Sequence, residues 1–216
     1  MLTAEGPTNA LINLFHQGTR LRFNKNDFII RPGSPPSGIF YIAQGLVKAY
    51  DITKYGDENL LIIRKTGEIL GLTWAVTGDD RQIIYTALAP TTVFRVEREQ
   101  FLEHINQNPA TALPLVDMLV DMYRSHSERI INLEYRSVRE RLVSFLFTTA
   151  RRFGTQTEAG LLLEVPMRHQ DIASSISATR ETTSRELATL ERQGLITSKQ
   201  SMITIVDAER LRRYLE

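Results

Sequence analysis

The chain has 216 residues, of which 42% are hydrophobic and 24% charged, and a formal net charge of +1, so it is an ordinary globular chain in which any nucleic-acid-binding surface must be local. It has no cysteine, which excludes disulfides, thiolate zinc sites and cysteine-held iron–sulfur clusters. Because it shows neither a signal peptide nor a run of about 18 apolar residues, we expect a cytoplasmic protein without a membrane span.

Short runs rich in Ile, Val, Tyr and Phe fill the first hundred residues and predict β-strands. The runs cover residues 28–31, 39–43, 46–50, 60–64 and 83–88. Four evenly spaced glycines punctuate this region, and each is expected to supply a backbone angle that other residues resist. They are Gly33, Gly45, Gly56 and Gly67. The pattern predicts a small antiparallel β-barrel or β-roll, followed by a short helix at about 98–106.

A long helix is predicted next, from about residue 110 to residue 135. Six residues along it recur at steps of three and four, as in the seam of a coiled coil. They are Val116, Leu119, Tyr123, His126, Ile130 and Leu133. Val120, Met122 and Ile131 lie beside the seam and are expected to pack on the β-roll. This pattern favours a homodimer helix, and the alternative is an ordinary buried helix.

A break in this helical region is predicted at about Arg136. Ser137 and Glu140 form a capping-box pattern ahead of a new apolar run at 142–150. A loop is expected at 154–160 and a strand at 161–165. The sequence therefore predicts three parts: a β-roll sensor domain (1–109), a dimerisation helix with a hinge (110–136) and a C-terminal domain (137–216).

Two short helices joined by a tight turn are predicted in the C-terminal domain. The first covers 170–176 and the second 180–193, with Thr179 as the N-cap of the second. Thr183, Leu187 and Leu190 are expected on the buried face of the second helix. Residues 194–196 and 203–206 predict the two strands of a wing hairpin. Together these elements predict a winged helix-turn-helix.

The open face of the second helix is chemically suited to reading DNA bases. Arg180 and Arg185 can each donate to two acceptors of guanine, and Glu181 can accept from the cytosine amino group. A recognition helix enters the major groove by its N-terminal turns, where these residues and Ser184 lie. Other polar side chains are expected on phosphates. These are Arg168, Gln170, Thr179 and Thr182. The alternative is a solvated helix with an incidental Glu181–Arg185 pair.

The chain resembles the Crp/Fnr family of bacterial regulators, to which the cyclic-AMP receptor proteins belong. The resemblance covers nearly the whole chain: the β-roll with its series of glycines, of which Gly71 is the last, the long helix and the winged helix-turn-helix. Its specific part is the run from Ser177 to Arg185, with the family's Arg-Glu-Thr-x-x-Arg set. The resemblance implies an α+β protein with a cyclic-nucleotide-binding-like β-roll, and a dimer that reads a TGTGA-like palindrome through Arg180, Glu181 and Arg185. Residues 141–146 and 151–154 are also similar to the cyanobacterial nitrogen regulators of this family.

The sensor end departs from the family's cyclic-AMP binders. Their phosphate pocket begins with Gly-Glu and ends with Arg-Ser, whereas this chain has Gly71-Leu72 and, at best, Arg81-Gln82. We therefore do not expect cyclic AMP in its usual binding mode, and no other cofactor is indicated. Candidate effector contacts are implied by position alone. They are Gly71, Leu72, Thr73, Arg81, Gln82, Ile83, His126 and Ser127.

Several functions remain open at this point. His126 lies on the predicted seam, where it is either a ligand or pH sensor or a polar residue that fixes register. Trp74 is either an effector-pocket residue or core. We expect a regulator gated by an unidentified small molecule, with double-stranded DNA, a second copy and RNA polymerase as partners. The alternatives are a ligand-independent regulator and a cyclic-nucleotide module with a protein output. The sequence shows no set of catalytic or metal-binding residues that would indicate an enzyme.

Overall fold

The computed structural model describes residues 5–79 and 82–216, and the chain folds into two compact units. The first unit comprises the chain up to Tyr55 together with Leu61–Tyr123, and the second comprises Gly56–Leu60 together with Arg124–Glu216. The predicted division at 109/110 and 136/137 remains a prediction. None of the described helices is long and apolar enough to span a membrane.

The first unit is a β-roll with short helices around it, so the predicted α+β class is confirmed. Its helices are α1 (Glu5–His16), α2 (Leu72–Thr77) and α3 (Arg98–Gln107), followed by a 3-10 turn (Pro109–Thr111) and the start of α4 (Ala112–Tyr135). Its strands are β1 (Thr19–Phe23), β2 (Phe28–Ile30), β3 (Ile39–Gln44), β4 (Leu46–Ile52), β5 (Glu58–Lys65), β6 (Ile69–Leu70), β7 (Ile84–Ala87) and β8 (Thr91–Val96), except that the first three residues of β5 belong to the second unit.

Two four-stranded antiparallel sheets form the roll. One has the strand order β1-β8-β3-β6 and the other β2-β7-β4-β5. All four predicted turn glycines have positive φ, between 78° and 112°. At Gly45 (φ 112°) a Cβ would also press on Thr91, so glycine is needed there for space as well as for backbone angle.

Two hydrophobic clusters hold this unit together. One fills the space between the sheets around Phe40, Ile42 and Val47. The other joins α1, α2 and α3 to the start of α4, through Phe15, Leu72 and other apolar side chains. Trp74 packs against this second cluster, which agrees with its interpretation as core.

The long helix α4 leaves most of its apolar side chains in solvent. Five of the six predicted seam residues are between 36% and 73% exposed, and His126 is half-buried. The expectation that the neighbouring residues pack on the β-roll was wrong for Val120 and Ile131, which are also exposed. Met122 does contact the β-roll, through Arg64 on β5, and Leu115 and Met118 pack against the first unit although they were not predicted to do so.

The second unit contains the rest of α4, four further helices and one sheet. Its helices are α5 (Val138–Phe153), α6 (His169–Ser175), α7 (Arg180–Arg192) and α8 (Ala208–Arg212), with a final 3-10 turn at Arg213–Leu215. Its strands are β9 (Gly154–Thr157), β10 (Gly160–Leu163), β11 (Ile196–Lys199) and β12 (Met202–Ile205), in the order β11-β12-β10-β9. The predicted capping box at Ser137 and Glu140 is confirmed.

Some predicted boundaries were wrong, and elements were missed where tertiary pairing decides the structure. Residues 154–160 are not a loop, because β9 pairs with β10 through Gln156 and Leu161. Helices α1, α2 and α8 and strands β1, β6 and β8 were not predicted; of these, α8 had a local signal, since Asp207 caps its start. The long helix begins at Ala112 rather than at residue 110, because a 3-10 turn precedes it.

Candidate nucleic-acid interface

A helix-turn-helix forms the centre of the second unit. Helix α6 lies one residue earlier than predicted, and α7 begins at the predicted residue. Between them, Ser177 has a left-handed backbone (φ 50°), and the amide of Ala178 donates to the carbonyl of Ala173 at 3.0 Å. These two features let the chain reverse direction within a few residues.

The start of α7 is fixed by its cap and its buried face. The Oγ1 atom of Thr179 accepts from the amide of Thr182 at 3.1 Å, so the predicted N-cap is confirmed. Thr183, Leu187 and Leu190 are fully buried, as the helical spacing predicted. The remaining faces of the first two turns are therefore held in one orientation toward solvent.

The predicted base readers lie on that exposed part of α7. The side chains of Arg180 and Glu181 have no hydrogen-bond or ion-pair partner among the described residues. Arg185 donates to Oγ1 of Thr182 at 3.3 Å and forms no ion pair with Glu181. The incidental Glu–Arg pair of the alternative interpretation is thus not formed. Ser184 is half-buried and hydrogen bonds to His169.

The predicted phosphate contacts lie at the starts of both helices. Gln170 is exposed on the first turn of α6, and Arg168 precedes that helix. The Arg168 guanidinium donates through Nε and Nη2 to the two carboxylate oxygens of Asp171, each at 3.0 Å. These hydrogen bonds raise the pKa of Arg168 above its ordinary value, so the side chain stays charged.

A groove of about 500 Å³ lies between the two helix starts and the wing hairpin. Its walls include Arg168, His169 and Arg180 on one side and the wing residue Lys199 on the other. The wing turns through Gln200 and Ser201, both of which have positive φ (52° and 63°). The groove thus brings together cationic side chains from three elements.

Sequence reasoning missed three contributors to this surface. The Nδ1 atom of His169 lies 2.8 Å from Oγ of Ser184, which ties the start of α6 to α7. Lys199 lies at the wing tip, and in the sequence only its positive charge pointed to a place on this surface. Arg141 on α5 donates to the carbonyls of Arg136 and Ser177, at 3.2 and 3.3 Å, and so links the break before α5 to the helix-turn-helix turn.

The candidate effector residues have mixed surroundings. Gly71 has a left-handed backbone (φ 81°) at the start of α2, and Leu72 is 9% exposed within a hydrophobic cluster. Thr73 and Gln82 are exposed, Ile83 is half-buried, and Arg81 lies outside the described residues. His126 and Ser127 are half-buried on the part of α4 that belongs to the second unit. Effector binding at these positions remains a prediction.

The described residues contain no cluster of three or more His, Asp or Glu side chains placed to hold a metal ion. Two family models match the chain over its two structural parts. The model of the cyclic nucleotide-binding domain matches residues 20–108. The model of the Crp-like helix-turn-helix domain matches residues 140–214.

Proteins similar along most of the chain include regulators and solved structures. The global nitrogen regulator of Nostoc sp. is 27% identical over 185 residues, which cover 85% of this chain and 83% of the relative. The structure of a CooA mutant from Carboxydothermus hydrogenoformans has a TM-score of 0.78 at 22% identity, over 94% of this chain and 90% of that one. The structure of FixK2 from Bradyrhizobium japonicum has a TM-score of 0.77 at 24% identity, over 91% and 96%. The two structures support the fold alone.

Proposed function

The chain belongs to the Crp/Fnr family of DNA-binding transcriptional regulators, and we propose that it reads a TGTGA-like palindrome through Arg180, Glu181 and Arg185. It is a transcription factor rather than an enzyme. The observation that supports this base-reading set is the start of α7. There, Arg180 and Glu181 stand exposed with no partner among the described residues, so their donors and acceptors are available for base edges.

We assign the remaining predicted contacts to the phosphate backbone. Thr179, Thr182, Ser184, Gln170 and Arg168 surround the start of the recognition helix, where phosphate contacts fix the register of a protein on the duplex. The groove between these residues and the wing supplies further positive charge.

The partner that completes the DNA-binding protein is a second copy of this chain. A palindrome is matched by a two-fold dimer, and the exposed apolar stripe of α4 is long enough to form a coiled-coil contact. We expect Leu119→Asp, on the predicted seam, to convert the dimer to a monomer in light scattering. Ile131→Asp is the matched control, because Ile131 is similarly exposed on the same helix but lies farther round it from the seam. Equal loss of mass in both variants would contradict the assigned seam.

Gating by a small molecule is the regulation we favour for this cytoplasmic regulator, with RNA polymerase as its downstream partner. The effector is not a cyclic nucleotide held in the usual way, because the position of the expected glutamate is occupied by Leu72, which packs into the core. The rival proposal is a ligand-independent regulator. A thermal-shift screen with cyclic nucleotides, 2-oxoglutarate and haem separates the two, since only a ligand that binds the folded state raises the melting temperature.

A gel-shift assay tests the DNA-reading proposal. The probe carries two inverted TGTGA half-sites separated by about six base pairs, which places their centres about one helical turn apart. We expect much tighter binding to this duplex than to a scrambled duplex of equal length and composition. Equal affinity for the two duplexes would overturn the proposed specificity.

A further inference from the structure

Residues Gly56–Leu60 form the tip of the β4–β5 hairpin, namely the end of the turn after β4 and the first three residues of β5, and they belong to the second structural unit. The amide of Leu60 donates to Oγ of Ser174 on α6 at 3.2 Å. Arg129 on α4 donates to the carbonyl of Leu60 at 3.2 Å and to Oδ1 of Asn59 at 3.3 Å. Its Nη2 also donates to the carbonyl of Ser174 at 3.3 Å. The tip is therefore tied to the first helix of the helix-turn-helix by both backbone and side-chain hydrogen bonds.

This attachment brings Glu58 to Arg168. The Nη2 atom of Arg168 lies 3.1 Å from Oε2 of Glu58, and both side chains keep substantial exposure, 40% for Glu58 and 64% for Arg168. Arg168 is one of the residues assigned above to a DNA phosphate. A carboxylate of this chain thus occupies a donor that the DNA backbone is expected to use.

Because of the donor geometry of Arg168, Glu58 and a DNA phosphate compete for the same N–H donors. A guanidinium has five N–H donors, and a phosphate is best bound by two parallel ones. Asp171 takes the Nε and Nη2 edge in a bidentate pair. The other edge consists of Nη1 and the second hydrogen of Nη2, and Glu58 takes the Nη2 half of it. A phosphate that binds this outer edge must displace Glu58.

We propose that Glu58 is an autoinhibitory phosphate mimic, which lowers the affinity of the helix-turn-helix for DNA until the tip at Gly56–Leu60 releases Arg168. The proposal rests on the proposed phosphate contact of Arg168. It gives the hairpin tip a regulatory role, because any event that moves the tip changes the free-energy cost of the phosphate contact of Arg168. Since phosphate contacts carry no sequence information, the mimic lowers binding to specific and non-specific DNA alike.

The test is a double-mutant cycle of Glu58→Gln and Arg168→Ala, measured on the palindrome and on the scrambled duplex. We expect Glu58→Gln to tighten binding to both duplexes by up to about fivefold, the range of an exposed ion pair. The slope of log K against log salt should stay the same, because the phosphate displaces Glu58 and reaches Arg168 in the parent as well, whereas the slope should become shallower by about 0.9 in Arg168→Ala. Asp57→Asn is the matched control, since it removes the same charge one residue away.

Two results would overturn the proposal. One is an equal effect of Glu58→Gln and Asp57→Asn, which would indicate general electrostatics. The other is a Glu58→Gln effect that persists when Arg168 is alanine, or an Arg168→Ala variant that binds DNA as tightly as the parent. The urea midpoints of all variants serve as a check on folding. Failure of the proposed specificity is separate, because it appears as equal binding of the parent protein to the two duplexes.

Discussion

The first turn of α7 and the first turn of α2 use their side chains in opposite ways. At α7, Arg180 and Glu181 project into solvent with no partner among the described residues. At α2, Leu72 is buried among apolar side chains from α1, α3 and α4. Polar side chains without a partner in the protein remain available to a macromolecule. A side chain that packs into the core instead contributes to stability. The side chains at α7 therefore support the proposed role in reading DNA, whereas those at α2 indicate no particular ligand.

The largest expected effect tests the α2 half of this comparison. Leu72→Glu restores the glutamate of the cyclic-AMP binders but places a charge in an apolar cluster. We expect a loss of unfolding free energy on the order of 3–5 kcal/mol, as for other uncompensated buried charges, and no gain of cyclic-AMP binding. Urea denaturation and calorimetric titration measure the two. Leu72→Met is the control, with a cost below about 1.5 kcal/mol. A stable Leu72→Glu variant that binds cyclic AMP would contradict the role of Leu72 as a core residue at the start of α2.

The next effect tests the α7 half. Arg180→Ala should weaken binding to the palindrome by about 1–3 kcal/mol and relax the preference at one base position. Arg192→Ala is the control on the same helix, because Arg192 is exposed in the last turn and donates to Ala188 and Thr189 of its own helix. Binding titrations against duplexes with each base at every half-site position measure both quantities. An equal loss in the two variants would mean that charge, not position, carries the effect.

Removal of the N-cap should have a smaller effect on stability. Thr179→Ala leaves the amide of Thr182 without its acceptor and should cost about 0.5–2 kcal/mol of unfolding free energy. Thr179→Ser retains a hydroxyl and should restore most of the loss. Urea midpoints of the three proteins provide the measurement. If serine fails to rescue, the role of Thr179 is packing by its methyl group rather than capping.

The smallest expected effect concerns the cap of α5. Hydrogen bonds from the Ser137 hydroxyl, and then from its backbone amide, lower the pKa of Glu140 from its ordinary 4.5. A lowered carboxyl pKa stabilises the fold above the ordinary value, and this contribution is lost as pH falls through the folded value. The urea midpoint of Glu140→Gln should therefore lie below that of the parent at about pH 7, and the two should converge below about pH 4.5.

Local signals explain which parts of this structure could be predicted. The caps at Ser137 and Thr179 and the buried face of α7 depend on residues within a turn or two, so the sequence pattern was sufficient. The turn glycines were predicted for the same reason, since each sets the backbone at its own position.

Contacts between distant segments explain what could not be predicted. Strand β9 exists because it pairs with β10, and its Gly-Thr-Gln-Thr composition alone favours a loop. Helices α1 and α2 are fixed by packing into one cluster with α3 and α4. The pair of Glu58 and Arg168 joins residues 110 positions apart, and no local pattern marks either residue for the other.

The wing tip has a consequence for anyone who wishes to retune this regulator. Gln200 and Ser201 hold left-handed backbone angles that Asn and Gly adopt far more easily in a two-residue hairpin. Replacing these two residues by Asn and Gly should therefore raise the melting temperature. Because the turn is exposed, the change disturbs no core packing. The Asn-Gly variant would then be a more stable protein for use as an engineered genetic switch. A fall in DNA binding that accompanies the gain in stability would indicate that the natural tip residues contribute to the proposed contact with DNA.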